Sequence, residues 1–239
     1  MCGIVGYIGE QDATSILVEG LNKLEYRGYD SAGIALYEQG EINVVKRVGK
    51  LDELEELVEE EQPQGQVGIG HTRWATHGKP STPNSHPHQS NNQEFVVVHN
   101  GIIENYAEIK KELKEKGYNF ASETDTEVIP NLIEEYYEDD LETTVRKIVD
   151  RLDGSYALAV MSKAEPDKLV AVRQDSPLIV GLGDGENFIG SDIPAILKHT
   201  DEVYILDDGE MAVITAADVE LSTTDGETVE KDIFEVDWD

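Results

Sequence analysis

The single cysteine of the sequence offers the clearest chemistry, because it stands directly after the initiator methionine. We expect Met1 to be removed before a residue as small as cysteine, which would leave Cys2 at the N-terminus. The thiol, with a reference pKa of about 8.5, would then lie beside its own α-amine, with a reference pKa of about 8. A nucleophile and a base in one residue is the arrangement of N-terminal nucleophile hydrolases. An accidental cysteine near a terminus is the alternative for Cys2 taken alone.

The densest polar cluster is the segment His-Thr-Arg-Trp-Ala-Thr-His-Gly at residues 71–78. It follows a short apolar run at 67–70, so we expect it to enter a loop from the end of a strand. Arg73 could bind a carboxylate through two parallel hydrogen bonds, and Trp74 could shield such a site from water. The alternatives are a structural ion pair for Arg73 and a loop or core position for either histidine.

Two further polar segments could stabilise charge on a substrate. Asn100 and Gly101 follow the apolar run 95–98, and the side-chain amide and the glycine N–H could point at one developing negative oxygen. The same Asn-Gly pair between apolar runs is also typical of a hairpin turn. In the segment 122–127, Asp125 could hold an ammonium group, whereas the alternative is capping of the helix that follows.

A metal site is the other chemistry that the histidines could support. His86 and His88 flank a proline, but no cysteine lies near them and their spacing matches no zinc pattern. We therefore expect no metal site.

An ordered scaffold must position these polar segments, and the hydrophobic pattern indicates its elements. Apolar residues at helical spacing predict helices at 12–24, 51–61, 105–116, 125–137 and 141–152, the third with Asn105 as its N-cap. Pro130 is compatible with the fourth helix only near its first turn. Short apolar runs predict strands at 3–8, 33–37, 42–48, 67–70, 94–99, 155–161, 169–173, 178–182, 188–189, 203–206 and 211–214. Runs of strands and a run of helices, rather than strict alternation, indicate an α+β fold with antiparallel sheets.

The charge balance restricts the partners of the chain. Its 239 residues include 50 acidic and 19 basic ones, which gives a formal net charge of −31. A surface of that sign repels phosphate backbones and anionic lipids, so we expect neither nucleic acid nor a membrane as a partner. Because salt screens the self-repulsion of such a surface, we expect adaptation to a high-salt cytoplasm, as in a halophilic organism.

The sequence also indicates a compartment. A single cysteine excludes an intramolecular disulfide and fits a reducing cytosol. We find no basic stretch followed by an apolar leader and no run approaching the roughly 18 apolar residues of a membrane span. The expected location is therefore cytoplasmic.

Five motifs occur in an order that is specific to one family. They are Cys-Gly-Ile-Val-Gly-Tyr-Ile from residue 2, Tyr-Arg-Gly-Tyr-Asp-Ser-Ala-Gly from 26, the cluster at 71–78, His-Asn-Gly-Ile-Ile-Glu-Asn from 99 and Ser-Glu-Thr-Asp-Thr-Glu-Val from 122. With them, the sequence closely resembles the N-terminal glutaminase (class II glutamine amidotransferase) domain of the glucosamine-6-phosphate synthases, also called glutamine–fructose-6-phosphate aminotransferases (isomerizing). The resemblance runs from Cys2 to about residue 206. It implies an α+β fold, the four-layer αββα sandwich of the N-terminal nucleophile hydrolases.

The resemblance also implies a role for each candidate residue. Cys2 would attack the side-chain amide of glutamine with its α-amine as the base, and Asn100 and Gly101 would form the oxyanion hole. Arg73 would bind the α-carboxylate of glutamine, and Asp125 would bind its α-ammonium group. The loop that closes over glutamine would contain Trp74, Thr76 and His77.

The same resemblance defines the expected reaction and the alternatives to it. Acyl transfer from an amide needs no cofactor, and it would release glutamate and ammonia. In full-length members, C-terminal sugar-isomerase domains use the ammonia to convert fructose 6-phosphate to glucosamine 6-phosphate. Those domains are absent from this chain, which we expect to be one glutaminase domain over residues 1–239 and a monomer. The alternatives are another class II glutamine amidotransferase, a non-catalytic glutamine-sensing module with a blocked N-terminus, and a purely structural domain.

Overall fold

Two antiparallel β-sheets carry the residues that the sequence marks as functional. The computed structural model describes residues 2–75 and 77–237 of the chain. The strands in these ranges are β1 (Gly3–Ile8), β2 (Ser31–Glu38), β3 (Glu41–Val48), β4 (Val67–Arg73), β5 (His88–Gln89), β6 (Phe95–Ile103), β7 (Gly154–Ser162), β8 (Leu169–Gln174), β9 (Ile179–Leu182), β10 (Asn187–Gly190), β11 (Glu202–Ile205), β12 (Glu210–Ile214), β13 (Val219–Thr223) and β14 (Phe234–Glu235). The helices are α1 (Ala13–Lys23), α2 (Leu51–Glu61), α3 (Tyr106–Glu115), α4 (Val128–Tyr136) and α5 (Leu141–Val149).

The order of the strands places the N-terminal segment in the middle of the first sheet. That sheet has eight strands in the order β14-β11-β9-β10-β1-β4-β2-β3, and the second has six in the order β13-β12-β8-β7-β6-β5. Strand β1 therefore forms backbone ladders with β10 on one side and β4 on the other. Since β1 follows Cys2 directly, that residue lies at the N-terminal end of a strand in the middle of the sheet.

Alternation of buried side chains along the strands produces four layers. On β1, Val5 packs with helices α1 and α2, whereas Ile4 packs with the second sheet. On β6, Val96 faces the first sheet, whereas Val97 packs with helices α3, α4 and α5. The order of layers is therefore helices, sheet, sheet, helices, and the αββα sandwich implied by the resemblance is confirmed.

The helices are held by apolar side chains at helical spacing. Helix α1 buries Leu17 and Leu21 completely against the first sheet. The burial of each side chain stabilises the fold by about 1.5–3 kcal/mol. Its start is fixed by Asp12, whose carboxylate accepts hydrogen bonds from two backbone N–H groups of the first turn. None of the helices in the described ranges combines the length and the apolar character that a membrane crossing requires.

Among the strands that extend beyond their predicted ends, β4 and β6 matter for the site. The prediction ended the strands at residues 70 and 99, but β4 continues to Arg73 and β6 continues to Ile103. The continuation is possible because β4 lies between β1 and β2, and β6 pairs with β7 along its whole length. The expectation that Arg73 enters a loop is therefore wrong, and the Asn-Gly pair lies inside a strand rather than in a hairpin turn.

Smaller differences concern the helices and the short strands. Helix α4 begins at Val128 and not at residue 125, so Pro130 lies in its first turn, as its chemistry requires. Asn105 occupies the N-cap position of α3, but its side chain bonds backbone groups of Arg151 and Asp153 instead of capping the helix. Helix α5 ends at Val149 rather than at residue 152. Strands β5, β13 and β14 were not predicted, because β5 and β14 have only two residues each and β13 has only two apolar residues, Val219 and Leu221.

Candidate active site

Cys2 is held at the N-terminal end of β1 by contacts from three other segments. Its Sγ accepts a hydrogen bond from the backbone N–H of Trp74 at 3.1 Å. Its carbonyl oxygen accepts from Nε of Arg27 at 2.9 Å and from Nδ2 of Asn100 at 3.0 Å. Burial raises the pKa of the Cys2 thiol, while the Trp74 N–H and the charges of Arg73 and Arg27 oppose that rise. The residue is thus fixed in place, and its thiol pKa stays raised although these groups partly offset the effect of burial.

Arg73 ends β4 and is a buried cation without an acidic partner in residues 2–75 and 77–237. Only 3% of its surface is exposed. Its Nη2 donates to the carbonyl oxygens of His77 and Gly78, the second at 3.2 Å, whereas Nη1 has no hydrogen-bond partner among the described residues. The structural ion pair considered as an alternative is therefore not observed in this part of the chain. A buried donor of this kind is costly unless a ligand bonds to it.

Arg73 interacts electrostatically with other ionisable groups of the site. Burial lowers the pKa of Arg73, and the nearby Cys2, Asp30 and Asp125 counteract that effect. Asp125 is itself 95% buried, since its exposed fraction is 5%, and its Oδ2 accepts a hydrogen bond from the backbone N–H of Ile103 at 2.7 Å. It lies before helix α4 and caps no helix. The structure therefore brings Asp125, Arg73 and Cys2 into one neighbourhood.

Gly101 occupies a backbone conformation that no other residue would adopt without strain. Its φ angle is +123°, and a Cβ atom at this position would lie 2.1 Å from the carbonyl oxygen of Ser155 on the neighbouring strand β7. Asn100, one residue earlier, is 6% exposed and directs its side chain to Cys2. Nδ2 of Asn100 also donates to Oγ of Ser191 at 3.0 Å. A backbone conformation that requires glycine, next to a buried amide, is an arrangement often found at functional sites.

The segment after β4 is anchored at both sides of the site. The N–H of Ala75 donates to Oδ2 of Asp30 at 2.7 Å, and the Trp74 ring, 45% exposed, packs edge-on against Tyr29 with 5.5 Å between centroids. The His77 ring packs edge-on against Tyr106 at 5.7 Å. Thr76, predicted to lie in the same closing loop, is outside the described residues, as is Met1.

A cavity of about 240 Å³ opens beside the thiol. Its lining joins the predicted nucleophile and oxyanion donors to residues of β6, β7 and the segment before β9, namely Cys2, Arg27, Trp74, Asn100, Gly101, Ile102, Ser155, Ser176 and Pro177. Arg73, Asp125 and His77 do not line it. A larger cleft of about 820 Å³ lies at the opposite end of β1, near Ile8, and its lining offers amides and carboxylates but no cysteine, histidine or basic residue. The chemistry therefore concentrates at the smaller cavity.

Three of the histidines form a buried stack. His71 stacks on His86 at 4.0 Å between ring centroids, and His86 meets His88 edge-on at 4.7 Å. Burial lowers the pKa of all three rings, that of His71 to about 3. Within residues 2–75 and 77–237, no group of three or more His, Cys, Asp or Glu side chains is arranged to hold a metal ion.

Comparison with known families decides the assignment. The family model described as "Glutamine amidotransferase domain" matches residues 71–198. The chain belongs to the glutamine amidotransferase domain family. The matched range includes Arg73, Asn100, Gly101 and Asp125, which are four of the residues that the sequence predicted for the site. The resemblance inferred from the five motifs is confirmed.

Individual relatives of this amidotransferase domain agree with the family match. A "glutamine--fructose-6-phosphate aminotransferase [isomerizing]" of Caldanaerobacter subterraneus subsp. tengcongensis is 60% identical over 239 residues, which cover 100% of this chain and 39% of that protein. The protein of the same name from Aquifex aeolicus is 53% identical, with 100% and 40% covered. The chain thus spans about 39% of the length of the curated relatives it matches.

A solved structure supports the fold of the domain at lower identity. The glutamine phosphoribosylpyrophosphate amidotransferase from B. subtilis, complexed with ADP and GMP, superposes with a TM-score of 0.81 at 25% identity. The match covers 93% of this chain and 49% of that one. The sandwich is therefore shared with an amidotransferase of a different name.

Sequence reasoning missed two contributors to the site of this amidotransferase domain. Ser191 follows β10 and accepts hydrogen bonds from Nδ2 of Asn100 at 3.0 Å and from the N–H of Ile4 at 2.8 Å. His71 is a core residue, one of the two alternatives expected for it, but its direct bond to Asn100 was not predicted. In the sequence, Ser191 and His71 stand out only as polar residues next to an apolar strand. Such residues are common, so this feature does not mark them as part of a site.

Proposed function

We propose that this domain hydrolyses L-glutamine to glutamate and ammonia through a thioester on Cys2. The observation that carries the proposal is the convergence of three groups: the fixed thiol of Cys2, the buried Asn100 amide 3.0 Å from the Cys2 carbonyl oxygen, and the buried Arg73 guanidinium, whose Nη1 has no partner among the described residues. Family membership supports the same reaction class. Each of these groups matches one part of glutamine: the side-chain carbon, the amide oxygen and the α-carboxylate.

The chemical steps follow from the positions of the groups around Cys2. After removal of Met1, the α-amine takes the thiol proton, through one water molecule, and Sγ attacks the amide carbon of glutamine. Negative charge develops on the amide oxygen, where Nδ2 of Asn100 and the N–H of Gly101 stabilise it. The C–N bond then breaks, the nitrogen leaves as ammonia with the transferred proton, and a γ-glutamyl thioester remains. Water attacks the thioester, releases glutamate and restores the thiol.

In the free domain, the two hydrogens of the Asn100 amide are already directed to acceptors. One is directed to the Cys2 carbonyl oxygen and the other to Oγ of Ser191. The oxygen of the tetrahedral intermediate would therefore compete with the Cys2 carbonyl for this donor. Since hydrogen bonds to charged groups are stronger than those between neutral groups, the donor favours the transition state over the free site.

Glutamine is a zwitterion, and the domain offers one complement for each of its charged ends. Nη1 of Arg73 would donate to the α-carboxylate, and the carboxylate of Asp125 would accept from the α-ammonium group. Trp74, Thr76 and His77 would belong to the loop that closes over the bound substrate. Closure would exclude water from the thioester until ammonia has left.

We further propose that the ammonia serves a sugar amination in a longer protein. The relatives named glutamine–fructose-6-phosphate aminotransferase are about two and a half times as long as the matched segment, since 39% of their length is covered. Their additional domains would accept the ammonia and convert fructose 6-phosphate to glucosamine 6-phosphate. Their identity of 60% compared with 25% for the phosphoribosylpyrophosphate amidotransferase favours the sugar as the acceptor. The free thiol of Cys2 fits a reducing cytoplasm, and the domain alone would be a monomer.

Intact mass before and after incubation with a diazo-ketone analogue of glutamine tests the proposal, together with an assay for released glutamate. We expect a mass without Met1, one adduct that maps to Cys2, and release of glutamate. The variant Cys2→Ala serves as the control, and it should form no adduct and release no glutamate. A processed N-terminus with neither adduct nor glutamate would refute the assignment of Cys2. Retained Met1 with bound glutamine and no turnover would instead support a glutamine-sensing module.

A further inference from the structure

The side chain of His71 reaches across the space between the two sheets to the predicted oxyanion donor. Its Nε2 lies 2.9 Å from Oδ1 of Asn100 and 3.0 Å from the carbonyl oxygen of His99. His71 lies on β4 of the first sheet, and the two acceptors lie on β6 of the second. No atom of the His71 ring is exposed. The contact is therefore a fully buried hydrogen-bonded connection between the first sheet, which carries Cys2, and strand β6, which carries Asn100.

The neighbours of the Asn100 amide determine which way it points. Nδ2 faces the carbonyl oxygen of Cys2, which can only accept a hydrogen bond. The opposite end, which faces His71, must therefore be the oxygen. Nε2 of His71 then faces two acceptors, and it must carry the ring proton. The geometry thus defines both the amide orientation and the histidine tautomer.

The other ring nitrogen reinforces this assignment. Nδ1 of His71 is buried and has no hydrogen-bond partner among the described residues. A proton on Nδ1 would be an unsatisfied buried donor, which is costly, whereas a lone pair there costs less. The ring also stacks on His86, with an interplanar angle of 11°, so rotation about its last bond is restricted. Burial lowers the pKa of His71 to about 3, so the ring stays neutral near pH 7.

We propose that His71 is a positioning residue that holds the Asn100 amide with its N–H groups toward Cys2 and the substrate oxygen. This inference rests on the proposed glutaminase reaction. If the amide rotated by half a turn, its oxygen would face the Cys2 carbonyl and the developing oxyanion, and the site would lose a donor and gain a repulsion. His71 Nε2–H removes that alternative by bonding the oxygen. Its contribution therefore concerns the transition state and not the binding of glutamine.

Substitutions that differ in the reach of one N–H group test the proposal. In His71→Gln, the side-chain amide N–H can occupy the place of Nε2, whereas in His71→Asn it is one bond too short. We expect His71→Asn and His71→Leu to lower kcat about 10- to 100-fold, less than the roughly 100- to 1,000-fold effect of removing an oxyanion donor. His71→Gln should recover most of the activity. KM for glutamine and the rate of Cys2 alkylation by iodoacetamide should stay near the values of the unaltered chain in all three variants.

Ile69→Val is the matched control, because Ile69 lies two residues earlier on β4 and is fully buried in the same inter-sheet layer. It should lower the thermal midpoint without lowering kcat. Equal loss of kcat in His71→Gln and His71→Asn would overturn the proposal, as would full activity in His71→Asn. Glutamate release by the unaltered chain separately tests the proposed function.

The tautomer can be measured without any substitution, so the proposal stays testable if the variants fail to fold. The ¹⁵N shifts of His71 in the unaltered chain should show a protonated Nε2 and an unprotonated Nδ1 from about pH 5 to 8. A proton on Nδ1, or titration of the ring in this range, would overturn the proposal whether or not the chain hydrolyses glutamine.

Discussion

Replacement of Arg73 by glutamine should weaken the recognition of one end of the substrate while the nucleophile stays intact. Arg73 is nearly completely buried, and its Nη1 has no partner among the described residues although it lies in a region of the protein that excludes water. A carboxylate bonded there would gain a charged hydrogen bond, worth about 1.5–3 kcal/mol. Since about 1.4 kcal/mol corresponds to a factor of ten, Arg73→Gln should lower kcat/KM for glutamine by about 10- to 100-fold.

A second substrate separates the loss of the carboxylate contact from a general disturbance of the loop. Nη2 of Arg73 also bonds the carbonyl oxygens of His77 and Gly78, so the substitution could act through the segment after β4. The amide 4-aminobutanamide is glutamine without its α-carboxylate. If Nη1 binds the carboxylate, the unaltered chain should hydrolyse this amide poorly, and Arg73→Gln should cause little additional loss.

The assay is glutamate or 4-aminobutyrate release at several substrate concentrations, with iodoacetamide alkylation of Cys2 as the check on the thiol. Arg47→Gln is the control, because Arg47 lies on β3 of the same sheet and its side chain bonds, among the residues that the structure describes, only the carbonyl oxygen of Glu53, at 3.4 Å. It should leave both substrates unaffected. An equal loss for both substrates in Arg73→Gln would refute carboxylate recognition and would assign Arg73 to loop support.

Three further predictions concern the scaffold. Gly101→Ala should destabilise the domain by more than the roughly 1–3 kcal/mol of its backbone strain, because the new Cβ would also clash with the Ser155 carbonyl oxygen. Gly40→Ala, at φ +90° with open space around it, should cost only the strain. Denaturant titration of the two variants compares the losses of stability. Burial lowers the pKa of four histidines, namely His71, His86, His88 and His99. Below about pH 6.5 these rings therefore gain protons in the unfolded chain but not in the folded one. As the pH decreases, the free energy of unfolding should decrease by up to about 1.4 kcal/mol per pH unit for each ring. A flat profile between about pH 7 and 5 would contradict this. With a net charge of −31, the thermal midpoint should rise with KCl concentration, and a constant midpoint would refute high-salt adaptation.

Elements defined by local periodicity could be predicted from the sequence nearly to the residue. Strand β1 and helix α2 have the predicted ends, and the turn between β2 and β3 lies at Gln39 and Gly40, which have φ angles of +50° and +90°. In these elements, the spacing of apolar residues and the turn residues indicate the same structure. The layered packing, in contrast, came from the family resemblance, because local patterns do not specify which strands become neighbours.

The ends of β4 and β6 show why the site was harder to predict than the core. Polar residues such as His71 and Asn100 interrupt the apolar pattern, and the pattern therefore indicated that each strand stops before them. The strands continue because neighbouring strands supply backbone partners for these residues. A functional strand end carries side chains chosen for chemistry, so a prediction based on hydrophobicity is least accurate at the place where the function lies.

Long-range contacts explain the remaining omission and also indicate what the site lacks. Ser191 meets Asn100 because β10 lies beside β1, although the two residues are 91 positions apart in the chain. Through Ser191, His71 and the Cys2 carbonyl, the side-chain amide of Asn100 is paired at both of its polar ends. Arg73 is different, since Nη1 is buried and unpaired within the described residues. Buried polar groups are normally satisfied, and Arg73 also lies near Cys2 and Asp125, so its unpaired Nη1 is a structural reason to expect an anionic group of the substrate there.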